Sequence, residues 1–305
     1  MKAMLLTKHG GLDALHYGDA PDPVAGPGDV VVDIHAASVN AADYKMRLGS
    51  YAELKFPHIL GRDFSGVVSA VGPGADLAVG DEVFGVTIPG TEGAYAEKIA
   101  IKAAIIAKKP AKLGHAEAAA MALTSLTATW ALEDTAALKR GETVLIQGGA
   151  GGVAGFAIQL AKHIGATVVT TAGSRNHDYV KKLGADQVID YAATDFARSA
   201  PPCDVVFDTV GGQVQSRSFA VLKPFGRLVW IAAGEAGFKT DRPDVKVLRP
   251  KVDRDRAHLD RMVELYEAGA VWPPAITRYK FANAAEAHRV SETRHLQGKL
   301  VLEVR

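Results

Sequence analysis

The sequence predicts an α/β protein, a doubly wound parallel sheet combined with a smaller antiparallel barrel or sandwich. Three observations predict it. A glycine-rich turn, Gly148-Gly149-Ala150-Gly151-Gly152, lies between an apolar run and an amphipathic stretch. From about residue 116, short apolar runs flanked by glycine alternate with helical patterns. Ahead of them the chain is cut into short β-type runs by Gly, Pro and Asp. Alternating strand and helix means a parallel sheet covered on both faces, and closely spaced short strands mean an antiparallel barrel or sandwich.

The elements follow in order. Met1–Lys8 reads as a first strand, because charge interrupts it too soon for a secretory segment. Val30–Ala36, Gly66–Val71 and Glu82–Val86 are further strands, with turn signals at Pro27-Gly28-Asp29, Gly72-Pro73-Gly74 and Val79-Gly80-Asp81. Ala116–Leu138 is Ala-rich, carries three acidic residues and reads as helix. Strands are then expected at Thr143–Gln147, Thr167–Thr171, Gln187–Asp190, Asp204–Asp208 and Arg227–Ala232, and helices at Val153–Ile164 and Asp178–Leu183. Ala275–Arg305 is mixed, and its last run, Lys299–Val304, is a strand expected to return to the first domain.

Composition narrows the function. The 305 residues allow one large domain or two ordinary ones, and 48% hydrophobic against 23% charged is a globular balance. A net charge of +1 gives no reason to expect nucleic acid or an anionic membrane as partner. No apolar run approaches the roughly 20 residues that span a bilayer. The single cysteine, Cys203, excludes an intrachain disulfide and any zinc site built from several cysteines, and fits a cytoplasmic location.

The glycine turn carries the strongest chemistry. Glycines let backbone approach a pyrophosphate, and free N–H groups at a helix N-terminus attract its charge. Here an apolar strand precedes the turn, a helix follows and a second strand begins at Thr167. The end of that second strand selects the nucleotide. An acidic residue there would bond the ribose hydroxyls of NAD and repel a 2′-phosphate. The chain instead reads Thr171-Ala172-Gly173-Ser174-Arg175-Asn176-His177-Asp178. Arg175 is suited to a 2′-phosphate, which predicts NADPH as cofactor. The alternative makes Arg175 a solvated loop residue and lets Asp178 open the next helix.

Several ordered motifs resemble one family over nearly the whole chain. They include Ser38-Val39-Asn40-Ala41-Ala42-Asp43-Tyr44-Lys45-Met46-Arg47-Leu48-Gly49, similar to a "VNPxDxKxRxG" pattern, and Pro57–Val68. Gly93–Glu97, Leu123–Ala128, the glycine turn, Leu183–Asp186 and Gln297–Leu302 continue it. The chain resembles the zinc-independent, quinone-oxidoreductase-type medium-chain dehydrogenases/reductases. That resemblance implies a Rossmann doubly wound parallel sheet plus a GroES-like β-barrel. It divides the chain into residues 1–120 (GroES-like catalytic domain), 121–250 (Rossmann NADP-binding domain) and 251–305 (return to the catalytic domain). It also implies a homodimer formed by extending the Rossmann sheet, through the strand around Arg227–Ala232 or its neighbour. The turn departs from the pattern with Ala154 where many relatives have glycine. Zinc-dependent cousins carry Cys and Gly-His-Glu where this chain has Asn40-Ala41-Ala42-Asp43 and Gly61-Arg62-Asp63, so no metal is expected.

The cofactor would be held by Gly148, Gly149, Ala150, Gly151, Gly152 and Val153. Matching residue by residue, the resemblance places Gly173 and Tyr191 at the adenine-side phosphate and ribose, with Ser174, Arg175 and His177 in the loop between. It places Asp208, Ala232 and Ala233 beside the nicotinamide. Arg294 has the spacing of a tail arginine that reaches the cofactor in related reductases; otherwise it is a surface arginine at a charged helix end. Thr127 is a candidate for the nicotinamide amide, or else a helix hydroxyl bonded to its own backbone.

Hydride delivery to a quinone or α,β-unsaturated carbonyl puts negative charge on the carbonyl oxygen, where a hydrogen-bond donor lowers the barrier. Asn40 offers an amide N–H, Lys45 a cation and Tyr51 a phenol. Their ordinary roles would be a satisfied loop amide, a pair with Asp43 or Glu53, and packing at a domain edge. Tyr51-Ala52-Glu53-Leu54-Lys55 also spells Tyr-x-x-x-Lys, the catalytic pair of short-chain dehydrogenases. That pair follows their glycine turn, whereas this one precedes it by about a hundred residues, so the match is coincidental. The expectation is an NADPH-dependent quinone or enone reductase. The alternatives are a reductase of another small carbonyl substrate, or an NADPH-binding protein with a structural or regulatory duty.

Overall fold

The computed structural model describes residues 1–50 and 54–305. Its contacts divide the chain into two units. The first holds Met1–Leu123, Arg254–Glu267 and Pro273–Arg305, and the second holds Thr124–Asp253 and Ala268–Trp272.

The chain begins with β1 (Lys2–Leu6), β2 (Leu15–Asp19), β3 (Asp29–Val39) and α1 (Ala41–Arg47). Then come β4 (His58–Ile59), β5 (Asp63–Val71), β6 (Glu82–Val86), β7 (Lys98–Lys102) and β8 (Ile106–Lys108). The runs expected to be strands are strands, and β3 starts directly after the Pro27-Gly28 turn. Val30, Val32 and Ile34 of β3 enter the core with Phe64 and Val68 of β5. α2 (His115–Thr129) follows and carries the chain from the first unit into the second. The helix expected to reach Leu138 stops sooner. It passes through a π-helical turn at Trp130–Thr135, and Ala137 adopts a left-handed backbone (φ 47°) that ends helical geometry.

The second unit runs β9 (Thr143–Ile146), α3 (Gly152–Ile164), β10 (Thr167–Thr171), α4 (His177–Lys182) and β11 (Gln187–Ile189). It continues with α5 (Phe196–Ser199), β12 (Cys203–Asp208), α6 (Gln213–Ser218), β13 (Leu222–Trp230) and β14 (Lys246–Leu248). The sheet order is β11-β10-β9-β12-β13-β14, every pair parallel. Numbered from β9, this is the 3-2-1-4-5-6 order of a Rossmann fold, whose reversal lies between β9 and β12. Leu145, Val169, Val206 and Leu228 form its core. The strand expected at Arg227–Ala232 is shifted: β13 begins at Leu222 and ends at Trp230, so Ala232 and Ala233 lie in the loop beyond. β13 is paired on both sides, and the open edge on that side of the sheet belongs to its neighbour β14. That strand has three residues and mostly faces solvent, so no apolar pattern marks it.

The tail comprises α7 (Arg256–Glu267), β15 (Ile276–Lys280), α8 (Ala284–Glu292) and β16 (Lys299–Glu303). β16 lies antiparallel to β3, with Leu300 opposite Val39 and Leu302 opposite Ala37. The first unit's larger sheet therefore runs β15-β16-β3-β5-β6-β8, with β7 also on β3, and a smaller one runs β2-β1-β4. Among the described residues no helix is long and apolar enough to cross a membrane.

Candidate active-site elements

The Gly148–Gly152 turn leaves the carboxyl end of β9 at the reversal of strand order, where open parallel sheets bind ligands. Two glycines are required by geometry. Gly148 has φ 74°, a left-handed backbone. At Gly149 a Cβ would come 2.2 Å from Thr170 Oγ1, a buried hydroxyl that donates to the Ile146 carbonyl at 2.6 Å. Thr171 braces the turn. Its hydroxyl accepts from the Gly148 N–H (3.0 Å) and donates to Gln147 Oε1 (2.8 Å), while its carbonyl accepts from the Gly149 N–H (2.9 Å). Gly151 caps α3 and has no side chain to satisfy the first helical N–H groups of Gly152 and Val153. Those donors, with Ala150 in the turn, form a cradle suited to an anion. Ala154 is buried in the first turn of α3, and the next residue, Gly155, is the one packed closely against Leu183.

The loop after β10 brings Gly173 and Tyr191 together, since a Cβ on Gly173 would lie 3.4 Å from the Tyr191 hydroxyl. Ser174 and Arg175 are exposed in a short 3-10 turn between them, and Asp178 falls in the first turn of α4. The His177 ring is turned inward. Its Nε2 donates to the Ala172 carbonyl at 3.2 Å, so it shapes the loop's own backbone.

The loops after β12 and β13 are joined by the Gly212 N–H, which donates to the Ala233 carbonyl at 2.9 Å. Ala232 is half-buried and Ala233 exposed. Asp208, buried at the end of β12, accepts from the N–H groups of Val210 (2.9 Å) and Gly211 (3.0 Å) through Oδ1. Its Oδ2 is buried without a partner among the described residues, and burial pushes its carboxyl upward. On α2, Thr129 bonds the Ser125 and Leu126 carbonyls of its own helix, whereas the Thr127 hydroxyl makes no such bond among the described residues.

In the first unit, Asn40 caps α1 and is held on every side. Its backbone N–H donates to Asp43 Oδ2 (2.8 Å) and its carbonyl accepts from the Asp43 N–H (3.0 Å). Its side-chain Nδ2 donates to Asp63 Oδ2 (3.0 Å), and its Oδ1 accepts from Lys299 Nζ (2.6 Å). Ser38 also donates to Asp63 Oδ2 at 2.6 Å, and Lys299 also donates to the Val39 carbonyl at 2.9 Å. Asp63 and Lys299 are buried, with Nζ 3.7 Å from Oδ2. Burial raises the Asp63 pKa and lowers that of Lys299, and their mutual attraction opposes both shifts.

Behind this cluster the polar contacts continue. The buried Asp43 carboxyl accepts from the Tyr95 hydroxyl at 2.9 Å, and burial pushes its pKa up to about 6. His288 Nε2 lies 3.4 Å from the same hydroxyl, and burial lowers its pKa to about 3. Arg47, fully buried, donates to the Gly10 carbonyl and to Glu292. Lys45 is half-buried on α1 and makes no ion pair among the described residues, so a pair with Asp43 is not formed. Arg294 ends α8 with a left-handed backbone (φ 58°) and donates to the Tyr44 hydroxyl on α1 at 3.2 Å. Tyr51, with its Tyr-x-x-x-Lys match, lies outside the described residues.

Comparisons with known proteins agree with this architecture. Residues 26–111 match the family described as alcohol dehydrogenase GroES-like domain, and residues 183–302 match the one described as zinc-binding dehydrogenase. A chloroplast envelope quinone oxidoreductase homolog of Arabidopsis thaliana is 31% identical over 96% of this chain and 95% of its own. The chain belongs to the medium-chain dehydrogenase/reductase superfamily. The quinone oxidoreductase of Coxiella burnetii superposes with a TM-score of 0.90 at 34% identity, over 100% of this chain and 99% of that one. A mycobacterial protein complexed with NADPH superposes at 0.89 with 30% identity, over 100% of both. The chain is also 32% identical, over 97% of its length, to a mycocerosic acid synthase-like polyketide synthase of Mycobacterium tuberculosis, of which it spans 15%.

In this member of the superfamily, one matched family takes its description from zinc. Even so, no group of three or more His, Cys, Asp or Glu among the described residues is placed to hold a metal ion. Cys203 sits in β12, buried, with its thiol pushed up to about 12. Two residues escaped the sequence reading. Gly61-Arg62-Asp63 signalled only missing zinc ligands, and Lys299 only a strand end. A lone charge opening an apolar strand, as in Asp63-Phe64-Ser65-Gly66 and Lys299-Leu300-Val301-Leu302, was the available signal.

Proposed function

We propose that the protein is an NADPH-dependent, zinc-independent reductase of quinones or α,β-unsaturated carbonyl compounds. The observation that carries this reading is the glycine cradle at the strand-order reversal, followed by a loop with Ser174 and Arg175 where an NAD-selective site would place an acid. The residues fit the cofactor. The turn leaves N–H groups for a pyrophosphate, Gly149 has no room for a side chain, and Gly173, Ser174, Arg175 and Tyr191 gather where a 2′-phosphate and adenine-side ribose would be held. Thr127, Asp208, Ala232 and Ala233 would border the nicotinamide. The NADPH-bound mycobacterial neighbour and the quinone-oxidoreductase relatives support the same cofactor and acceptor class.

When bound, NADPH supplies a hydride. The protein's own task is to meet the negative charge that develops on the acceptor oxygen. Asn40 meets it with an amide N–H, and Lys45 adds a cation in the last turn of the helix that Asn40 caps. A fixed donor shielded from bulk water is worth more than one in water, because it needs no reorganisation as the charge grows. No metal is needed to polarise the carbonyl, and the donor set of the Asn40 and Gly61 stretches suits none. NADPH oxidation measured over a panel of quinones, enals and enones tests this. Turnover on at least one class is expected. Tight NADPH binding with no turnover on any acceptor would overturn it.

A further inference from the structure

We propose that Asp63 and Lys299 are positioning residues, which lock the Asn40 amide so that it presents an N–H, and never its oxygen, to substrate. This rests on Asn40 being the donor proposed above. An asparagine amide has two faces, one donating and one accepting, and a flip exchanges them. Presented oxygen-first, it would repel a developing oxyanion instead of stabilising it. The capping box with Asp43 favours the proposed orientation, since the Asp43 N–H faces the Asn40 side chain, but it is a contact with a neutral backbone group.

The buried pair does decide. A lysine ammonium only donates and a carboxylate only accepts. The atom 2.6 Å from Lys299 Nζ is therefore the amide oxygen, and the atom 3.0 Å from Asp63 Oδ2 is the nitrogen. Flipping the amide would set an N–H against the ammonium and the oxygen against the carboxylate. Each partner is anchored in turn. Asp63 accepts from Ser38, and Lys299 donates to the Val39 carbonyl, so the same lysine holds both the side chain of Asn40 and the peptide that precedes it. With Oδ1 occupied and one Nδ2 hydrogen given to Asp63, the second hydrogen remains, on a residue that is itself half-buried. A buried ion pair contributes little net stability, and its best attested use is to specify one arrangement over another.

A mutant cycle tests the inference. The variants are Asn40→Ala, Lys299→Met and their combination. Because Lys299→Met strands the Asp63 carboxylate, the cycle is repeated with Asp63→Asn/Lys299→Met, which removes both charges. Turnover with NADPH on the best acceptor of the panel is read beside the melting temperature. Loss of positioning is expected to lower kcat by about 10-fold or more where Asn40 is present. In the Asn40→Ala background the further loss should be under about twofold, while the melting temperature falls equally in both. A full kcat loss in both backgrounds would mean that the pair acts through the fold at large, and would overturn the inference while leaving the donor reading intact. An unchanged kcat in Asn40→Ala would defeat the donor reading and this inference with it. A second readout needs no turnover. The Asn40 side-chain NH2 signals, assigned by their loss in Asn40→Ala, should show one hydrogen protected from solvent exchange and one fast. In Asp63→Asn/Lys299→Met both should exchange faster. Two fast hydrogens in the unaltered protein would overturn the lock.

Discussion

The turn after β9 and the cluster around Asn40 are built from opposite materials. The turn is backbone, with Gly148 and Gly149 placed by their conformation and lack of Cβ, and the bonds from Thr170 and Thr171 that brace it lie between Ile146 and Thr171. The cluster is side chains, and Lys299 reaches Asn40 across 259 residues of sequence. At Gly149 the turn tolerates no added atom because the Thr170 hydroxyl already fills that space. The cluster tolerates no uncompensated charge because it is buried. Steric failure is expected in the first region and electrostatic failure in the second.

Three measurements probe that contrast, from the largest effect to the smallest. Gly149→Val places carbon 2.2 Å from Thr170 Oγ1, so the turn must move. NADPH affinity, read by fluorescence titration, should fall by at least about 100-fold, or about 2.7 kcal/mol. An unchanged affinity would mean that the turn is not the cradle.

The second concerns burial of charge. His288 has a folded pKa near 3 against an unfolded value near 6.5, so the unfolded chain takes up the proton first. Its contribution to stability is complete above pH 6.5 and is lost as pH falls toward 3. Asp43 works in the opposite sense. Its folded value near 6 lies above the ordinary carboxylate value, so its contribution is present at low pH and lost as pH rises through 6. His288→Asn should therefore reduce the stability lost between pH 6.5 and 4.5 by on the order of 2 kcal/mol, measured by urea unfolding at both pH values. If variant and parent lose stability in parallel, the burial argument breaks.

The third sharpens the cofactor assignment. Arg175→Ala should weaken NADPH binding about tenfold, or about 1.4 kcal/mol, and leave NADH binding unchanged. Equal affinities for the two nucleotides, unaltered by the substitution, would remove the 2′-phosphate from the account.

What was legible in the sequence follows the same division. β9, α3 and β10 were readable because a strand, a glycine turn and a helix each have a local pattern. Ser174, Arg175 and the late arrival of Asp178 were equally local. Less was visible where neighbours in space decide. The helix to Leu138 was overdrawn because the alanines up to Ala137 favour helix and no local signal marks its left-handed backbone. β14 has no apolar face to announce it. The position of His177 in the loop was readable, but the bond from its ring to the Ala172 carbonyl was not.

The amino-acid sequence by itself determined the fold class, the glycine turn, the family and the absence of cysteine and histidine from the Asn40–Asp43 and Gly61–Asp63 stretches, since each depends on residue type at short spacing. The tertiary structure alone decided how Asn40 is oriented. That orientation depends on two buried charges at Asp63 and Lys299 which β5 and β16 bring to the end of β3 from opposite ends of the chain. A charge at the head of an apolar strand reads as a surface residue until the sheet is assembled and the partner that makes its burial tolerable arrives from elsewhere.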